Sequence, residues 1–177
     1  MSTVQDSASQ VLVLGTIHLL DTIASVTGTY QLLFSLSDLI LGDEIQATEA
    51  TKVRNVDSFE VSNQVTYLFA PTKPVIRSIP LVAEDGIEYS IQQLRATFTI
   101  TSMTGTVAVG DTVTGATSAA TGIVRFMDNP TTPTSIIIEW LSGTWQDAEN
   151  AEVDGSNFLV LNDATPAQTI SWKTWAL

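Results

Sequence analysis

The sequence predicts an all-β protein: a β-sandwich carrying a small β-barrel or β-hairpin unit inserted before its last strand. Three observations predict it. Apolar and polar residues alternate strand-fashion through windows such as Glu60-Val-Ser-Asn-Gln-Val-Thr-Tyr-Leu-Phe69. Threonine and valine, whose β-branched side chains suit a pleated, half-buried surface, recur along the chain. Breakers divide the runs at short intervals: Gly28, Gly42-Asp43, Pro71, Pro74, Asp85-Gly86, Asp128-Asn-Pro130, Pro133 and Asp154-Gly155.

In chain order, residues 1–10 are polar and read as an arm outside the sandwich. Strands are expected near 10–16, 17–25, 29–36, 44–53, 59–69, 75–82 and 87–93. One helical turn is expected at 37–41, with Ser37 as its N-cap and Gly42 ending it. Pro71 and Pro74 mark a loop, because proline cannot donate to a central ladder. Further strands are expected near 97–103, 112–114, 122–127, 135–141, 158–161 and 170–175. Pro130 and Pro133 mark a hairpin tip or exposed loop. Two segments echo each other, Gly105 to Gly115 and Gly143 to Gly155, and each fits strand–turn–strand, as in a duplicated hairpin. The closing strand places Ile170, Trp172 and Thr174 on one face and Ser171, Lys173 and Trp175 on the other. A strand this apolar needs a sheet to pair with. It therefore completes the first unit, giving a discontinuous base of residues 1–96 with 164–177 and an inserted β unit of residues 97–163.

Composition bounds the function. The 177 residues are 44% hydrophobic, which supplies a core and argues against intrinsic disorder. The formal net charge is −12, from 7 basic and 19 acidic residues. So few cations cannot neutralise a nucleic-acid backbone or hold an anionic lipid surface. There is no cysteine, which removes disulfides, thiol catalysis and cysteine metal sites. A single histidine rules out a histidine metal cluster. The N-terminus has no basic region followed by an apolar one, so it does not read as a signal peptide. The longest strongly apolar run, Ile136-Ile-Ile, is strand-sized and far short of the ~20 residues of a membrane helix.

Individual residues offer little chemistry. His18 lies between Ile17 and Leu19 with no implied partner, and reads as structural or surface rather than as a base. Asp147, Glu149, Glu152 and Asp154 could supply oxygens to Ca²⁺, but the EF-hand spacing is missing and a solvated, self-repelling loop accounts for them. Asp43-Glu44 and Asp111 could be hydrolase carboxylates, yet each follows a glycine and fits turn chemistry. Gly110, Gly115 and Gly122 are not a phosphate loop, since no lysine follows and no helix opens there. Among Trp140, Trp145, Trp172 and Trp175, Trp172 is expected in the core. Trp145, in Ser142-Gly-Thr-Trp-Gln-Asp, is expected near a turn and exposed. Trp145 and Trp140 are thus the candidates for an interface or glycan contact.

The stretch Gly28-Thr-Tyr-Gln-Leu-Leu-Phe-Ser-Leu-Ser-Asp-Leu-Ile-Leu-Gly-Asp-Glu-Ile45, with Lys52-Val and Gly86-Ile-Glu-Tyr-Ser-Ile-Gln-Gln93, resembles small β-sandwich structural proteins of tailed phages. Ile170-Ser-Trp-Lys-Thr-Trp175 is similar to that family's last strand. There the penultimate strand usually runs almost directly into the last, whereas here about seventy residues intervene. Val109-Gly-Asp-Thr-Val-Thr-Gly-Ala-Thr-Ser-Ala-Ala-Thr-Gly-Ile-Val124 resembles a β module of phage virion proteins. The resemblance implies a jelly-roll-like sandwich in a virion structural protein, without enzymatic activity, cofactor or metal. The role it implies is capsid decoration, or cement: binding the major capsid protein on the capsid surface as a homodimer or homotrimer, with the inserted unit projecting outward. The alternatives are a head- or tail-surface receptor or glycan-binding module, and a tail-associated structural protein.

Overall fold

The computed structural model of the protein describes residues 3–24, 27–36, 39, 42–52, 57–68, 75–146, 148–162 and 168–177. It is all-β, with fourteen strands and no helix among the described residues. The strands are β1 (Thr3–Val11), β2 (Ile17–Ala24), β3 (Gly28–Ser35), β4 (Glu44–Lys52), β5 (Glu60–Leu68), β6 (Val75–Arg77) and β7 (Leu81–Ala83). They continue with β8 (Gly86–Thr104), β9 (Thr112–Gly115), β10 (Thr121–Met127), β11 (Ser135–Ser142), β12 (Asn150–Asp154), β13 (Asn157–Leu161) and β14 (Thr169–Ala176).

Two sheets follow. One runs β1-β14-β3-β6, with β7 also on β3. In the other, β8 has β2 on one side and β4 on the other over its first half, and β5 lies outside β4. Inward residues of both sheets make one buried cluster: Leu20 from β2, Leu32 and Phe34 from β3, Ile45 from β4, Ile87, Tyr89 and Ile91 from β8, and Ile170 and Trp172 from β14. Phe34 meets Tyr67 across the sheets, edge to face, with centroids 5.8 Å apart. The second half of β8 then closes a six-stranded barrel through β11, β10, β9, β12 and β13. Its interior is a separate buried cluster that includes Phe98, Val113, Val124, Ile136, Ile138 and Leu159.

Several expectations are corrected. Residues 3–11 are not an arm: β1 pairs antiparallel with β14 from Thr3↔Ala176 to Val11↔Thr169. The expected strands at 87–93 and 97–103 are one strand, β8. From Ile87 its buried positions are odd-numbered through Gln93 and even-numbered from Ala96, a slip in phase that reads locally as a break. The echoed segments are not two hairpins. Each is a loop leading into one strand, β9 or β12, and those two strands pair with each other at Ala151↔Gly115 and Glu152↔Thr114. In the expected turn at 37–41, Ser37, Asp38, Ile40 and Leu41 lie outside the described residues, as do Pro71 and Pro74. Leu39 is buried and its N–H donates to the Leu36 carbonyl. The loop at Pro130 and Pro133 does join a hairpin, β10 to β11, and the Asp128 carboxylate accepts the Thr134 and Ser135 N–H groups there.

Candidate interaction surface

The two cores meet at a waist made of polar groups and close backbone approaches. Asp43, expected in turn chemistry, is wholly buried instead. Its carboxylate accepts the Thr97 N–H at 3.1 Å and the Gln168 amide at 2.6 Å. Gln168 accepts in turn from the Gln93 amide. This bonding suits a buried carboxylate, which must be paired to be tolerated. Glu44, the other carboxylate considered for catalysis, pairs with Arg95 at 3.2 Å, and Arg95 reaches Glu139 at 2.6 Å. Arg125 also pairs with Glu139 and holds that carboxyl below the usual carboxylate range. Gly15 has φ +80, and a Cβ built on it would lie 1.9 Å from Trp140 Nε1. Trp140 therefore packs closely against the loop between β1 and β2, and its Nε1 donates to the Gly143 carbonyl at 2.7 Å. Gly42, at φ +101, meets Ile137 in the same way. Trp140 thus spans the waist, which limits what it can offer a ligand.

Trp145 is not exposed. It is 2% accessible and tilts against Phe98 inside the barrel, with centroids 6.4 Å apart. The turn-like sequence around it folds back into the barrel end, and its ring cannot reach a glycan or a partner. The acidic stretch is a solvated loop only in part: Asp154 is exposed, and Glu149 is not. Asp147 lies outside the described residues. Glu149 is 4% accessible and accepts from the N–H groups of Thr117, Ser118 and Gln146 and from the Ser118 hydroxyl. Asp154 caps the β12–β13 turn by accepting the Ser156 and Asn157 N–H groups. Asp111 does keep its turn role, accepting the Ala108 N–H at 2.8 Å. Among the described residues no three carboxylate or histidine side chains converge as metal ligands would.

His18 Nε2 accepts the Val13 N–H at 3.0 Å, which requires a neutral ring. Burial pushes its pKa below the ordinary 6.5. The folded state then binds this proton less well than the unfolded state, so stability falls as the pH drops below 6.5 towards the lowered value. We expect the melting temperature of the wild type to fall between about pH 7 and about pH 6. His18→Gln is expected to flatten that slope. Equal slopes in the two proteins would mean that His18 does not carry it.

Inside the sandwich, one row across the second sheet is polar: Asp21, Tyr89, Glu49 and Asn63, in register from β2 to β5. Asn63 donates to Glu49 at 3.0 Å, and burial pushes the Tyr89 hydroxyl up. Glu49 lines a cavity of about 40 Å³ at the sandwich edge, room for water rather than for a substrate.

The outer faces are open. On the second sheet, Ile17 (67% exposed), Leu19 and Val61 stand among Gln46, Thr48 and Gln64. On the first sheet, Lys173, Leu33 and Arg77 form one register row across β14, β3 and β6. Trp175 and Gln31 form the adjacent row, two residues along each strand. Gln31, Leu33, Arg77, Trp175 and Leu177 line a hollow of about 210 Å³. A second hollow of about 150 Å³ beside it includes Lys173, Ser171 and Val75. The other cations among the described residues are engaged: Arg95 and Arg125 with Glu139, and Lys52 over the Phe59 ring. Arg77 and Lys173 have no ion-pair partner among the described residues. The sequence reading missed this face. The signal was present in the outward half of the closing strand, Ser171, Lys173 and Trp175, but its partners on β3 and β6 are set by topology.

No family model and no curated protein matches the chain. Among solved structures, the crystal structure of PBSX exported protein XepA is similar at 10% identity, over 99% of this chain and 86% of that one, with a TM-score of 0.36.

Proposed function

We propose that the chain is a structural, non-enzymatic protein of a tailed-phage virion that decorates the capsid shell. The observation that carries this reading is the strand order. With β6 and β7 counted as one edge position, the base has eight strand positions in two facing sheets, ordered β1-β14-β3-β6 and β2-β8-β4-β5. That order supports a jelly roll, an architecture used by viral capsid and lectin domains. The two separate buried clusters support a base of 1–96 with 164–177 and an inserted unit of 97–163. Further support comes from the resemblance of Gly28 to Ile45 and of Val109 to Val124 to virion proteins.

In this reading the sandwich grips the major capsid protein at the capsid surface, and the barrel points away. The apolar outer positions Ile17, Leu19 and Val61 give the second sheet a docking face. Self-association as a dimer or trimer matches the symmetry axes of a shell. Binding assembled shells but not free subunits shifts the equilibrium towards the shell. Co-sedimentation with undecorated shells of the parent phage tests this. Saturation at hundreds of copies per shell is the expected result, by the arithmetic of a roughly full lattice of repeated sites. Copies confined to one vertex, or no binding, would overturn decoration and move the protein to the tail.

A further inference from the structure

We propose that the outer face of the first sheet binds a carboxylated sugar, a uronic or sialic acid residue, in the hollow between Trp175 and Arg77. The inference does not depend on the capsid reading. It starts from charge. In a chain of net charge −12, two cations without ion-pair partners among the described residues, Arg77 and Lys173, stand in one row on one face. Neighbouring strands lie about 4.8 Å apart, so these two flank Leu33 across a gap of about 10 Å at the backbone. A guanidinium so placed presents a planar fork that takes a carboxylate with two parallel hydrogen bonds.

The rest of the hollow suits a ring bearing hydroxyls. Trp175 supplies an aromatic surface at one end, which packs on the apolar face of a pyranose. Gln31 donates its amide to the Ser78 carbonyl at 2.7 Å, which fixes the side chain and leaves its carbonyl oxygen to accept from a sugar hydroxyl. Leu33 forms the floor. The hollow, about 210 Å³, is the size of one sugar residue rather than of an extended peptide. Topology also argues against a peptide. β14 is paired on both sides, by β1 and β3, and β3 is paired on both sides as well. Their backbone groups are spent, so a peptide cannot add as a strand over the hollow between Trp175 and Leu33, and recognition there falls to side chains; the strand edge beside it is that of β6.

The test uses the full chain, titrated with 3′-sialyllactose and with a hyaluronan tetrasaccharide and followed by tryptophan fluorescence and ligand-detected NMR. At least one of the two is expected to bind with a Kd of about 0.1–5 mM, as one charged pair plus one stacked ring permits. Arg77→Gln is expected to weaken binding about tenfold or more, and Trp175→Phe to remove the fluorescence change. Trp140→Phe is expected to leave affinity unchanged. Both site residues face outward, so circular dichroism and melting temperature should match the wild type in each variant. No binding of either saccharide at about 10 mM would overturn the proposal. So would equal binding of neutral maltotetraose, or undiminished binding in Arg77→Gln. Displacement by hexaglutamate at equal concentration would overturn it in favour of an acidic-peptide surface.

Discussion

Trp145→Ala is expected to cost about 3–5 kcal/mol of unfolding free energy, the range for truncating a large buried aromatic. The ring is 2% exposed and lies against Phe98. A Cβ built at Gly122 would sit 2.4 Å from Ile138 Cγ2 and 2.8 Å from the Glu139 carbonyl oxygen, so β10 is bare backbone there because β11 lies close, and Trp145 Cζ2 is in ordinary contact at 3.4 Å. Trp145→Phe is expected to cost less, under about 2 kcal/mol, since it keeps most of the contact area and removes an indole N–H that has no partner. Denaturant titrations read by circular dichroism check both. A loss below about 1 kcal/mol for the alanine variant would show that the ring does not hold the barrel together.

Trp145 also marks where the sequence was legible and where it was not. Alternation placed the strands well when both neighbours in the sheet sat over one core. In β14, Ile170, Trp172 and Thr174 do point inward, and Ser171 and Lys173 outward. It failed for β1, whose residues Thr3 to Gln10 have no apolar face, because their order comes from backbone pairing with β14 rather than from burial. It split β8 because the strand passes from one core to the other and its inward face changes phase near Leu94, where the β4 pairing skips a residue. Polar segments misled most. Ser142 to Gln146 and the acids after it look like solvent-facing turns, yet Trp145 and Glu149 are both buried there. Side chains that satisfy distant backbone groups leave no periodic trace.

Glu149→Ala is expected to cost about 2–4 kcal/mol, because one carboxylate answers four donors on two loops. Three of these donors are backbone N–H groups, at Thr117, Ser118 and Gln146, and no rearrangement of side chains replaces their acceptor. The carboxylate also fills the space that Gly115 leaves, since a Cβ there would lie 2.5 Å from Glu149 Oε2. Glu149→Gln keeps the shape but trades one acceptor oxygen for a donor facing N–H groups, so an intermediate loss is expected. Limited proteolysis should find the 115–119 and 142–148 segments first in the alanine variant. A change within about 0.5 kcal/mol would return Glu149 to the status of an ordinary surface acid.

The place of β14 between β1 and β3 has a consequence for synthesis. Both of its neighbours are made well before it, β3 ending at Ser35, and wait for a partner that begins at Thr169. Until then each has an open backbone edge, the kind of edge that recruits other chains. The barrel strands, by contrast, follow one another from the second half of β8 to β13, and the barrel can close while β14 is still being translated. The nascent protein therefore completes its younger half first. Its older half stays vulnerable to neighbouring chains until β14 is made.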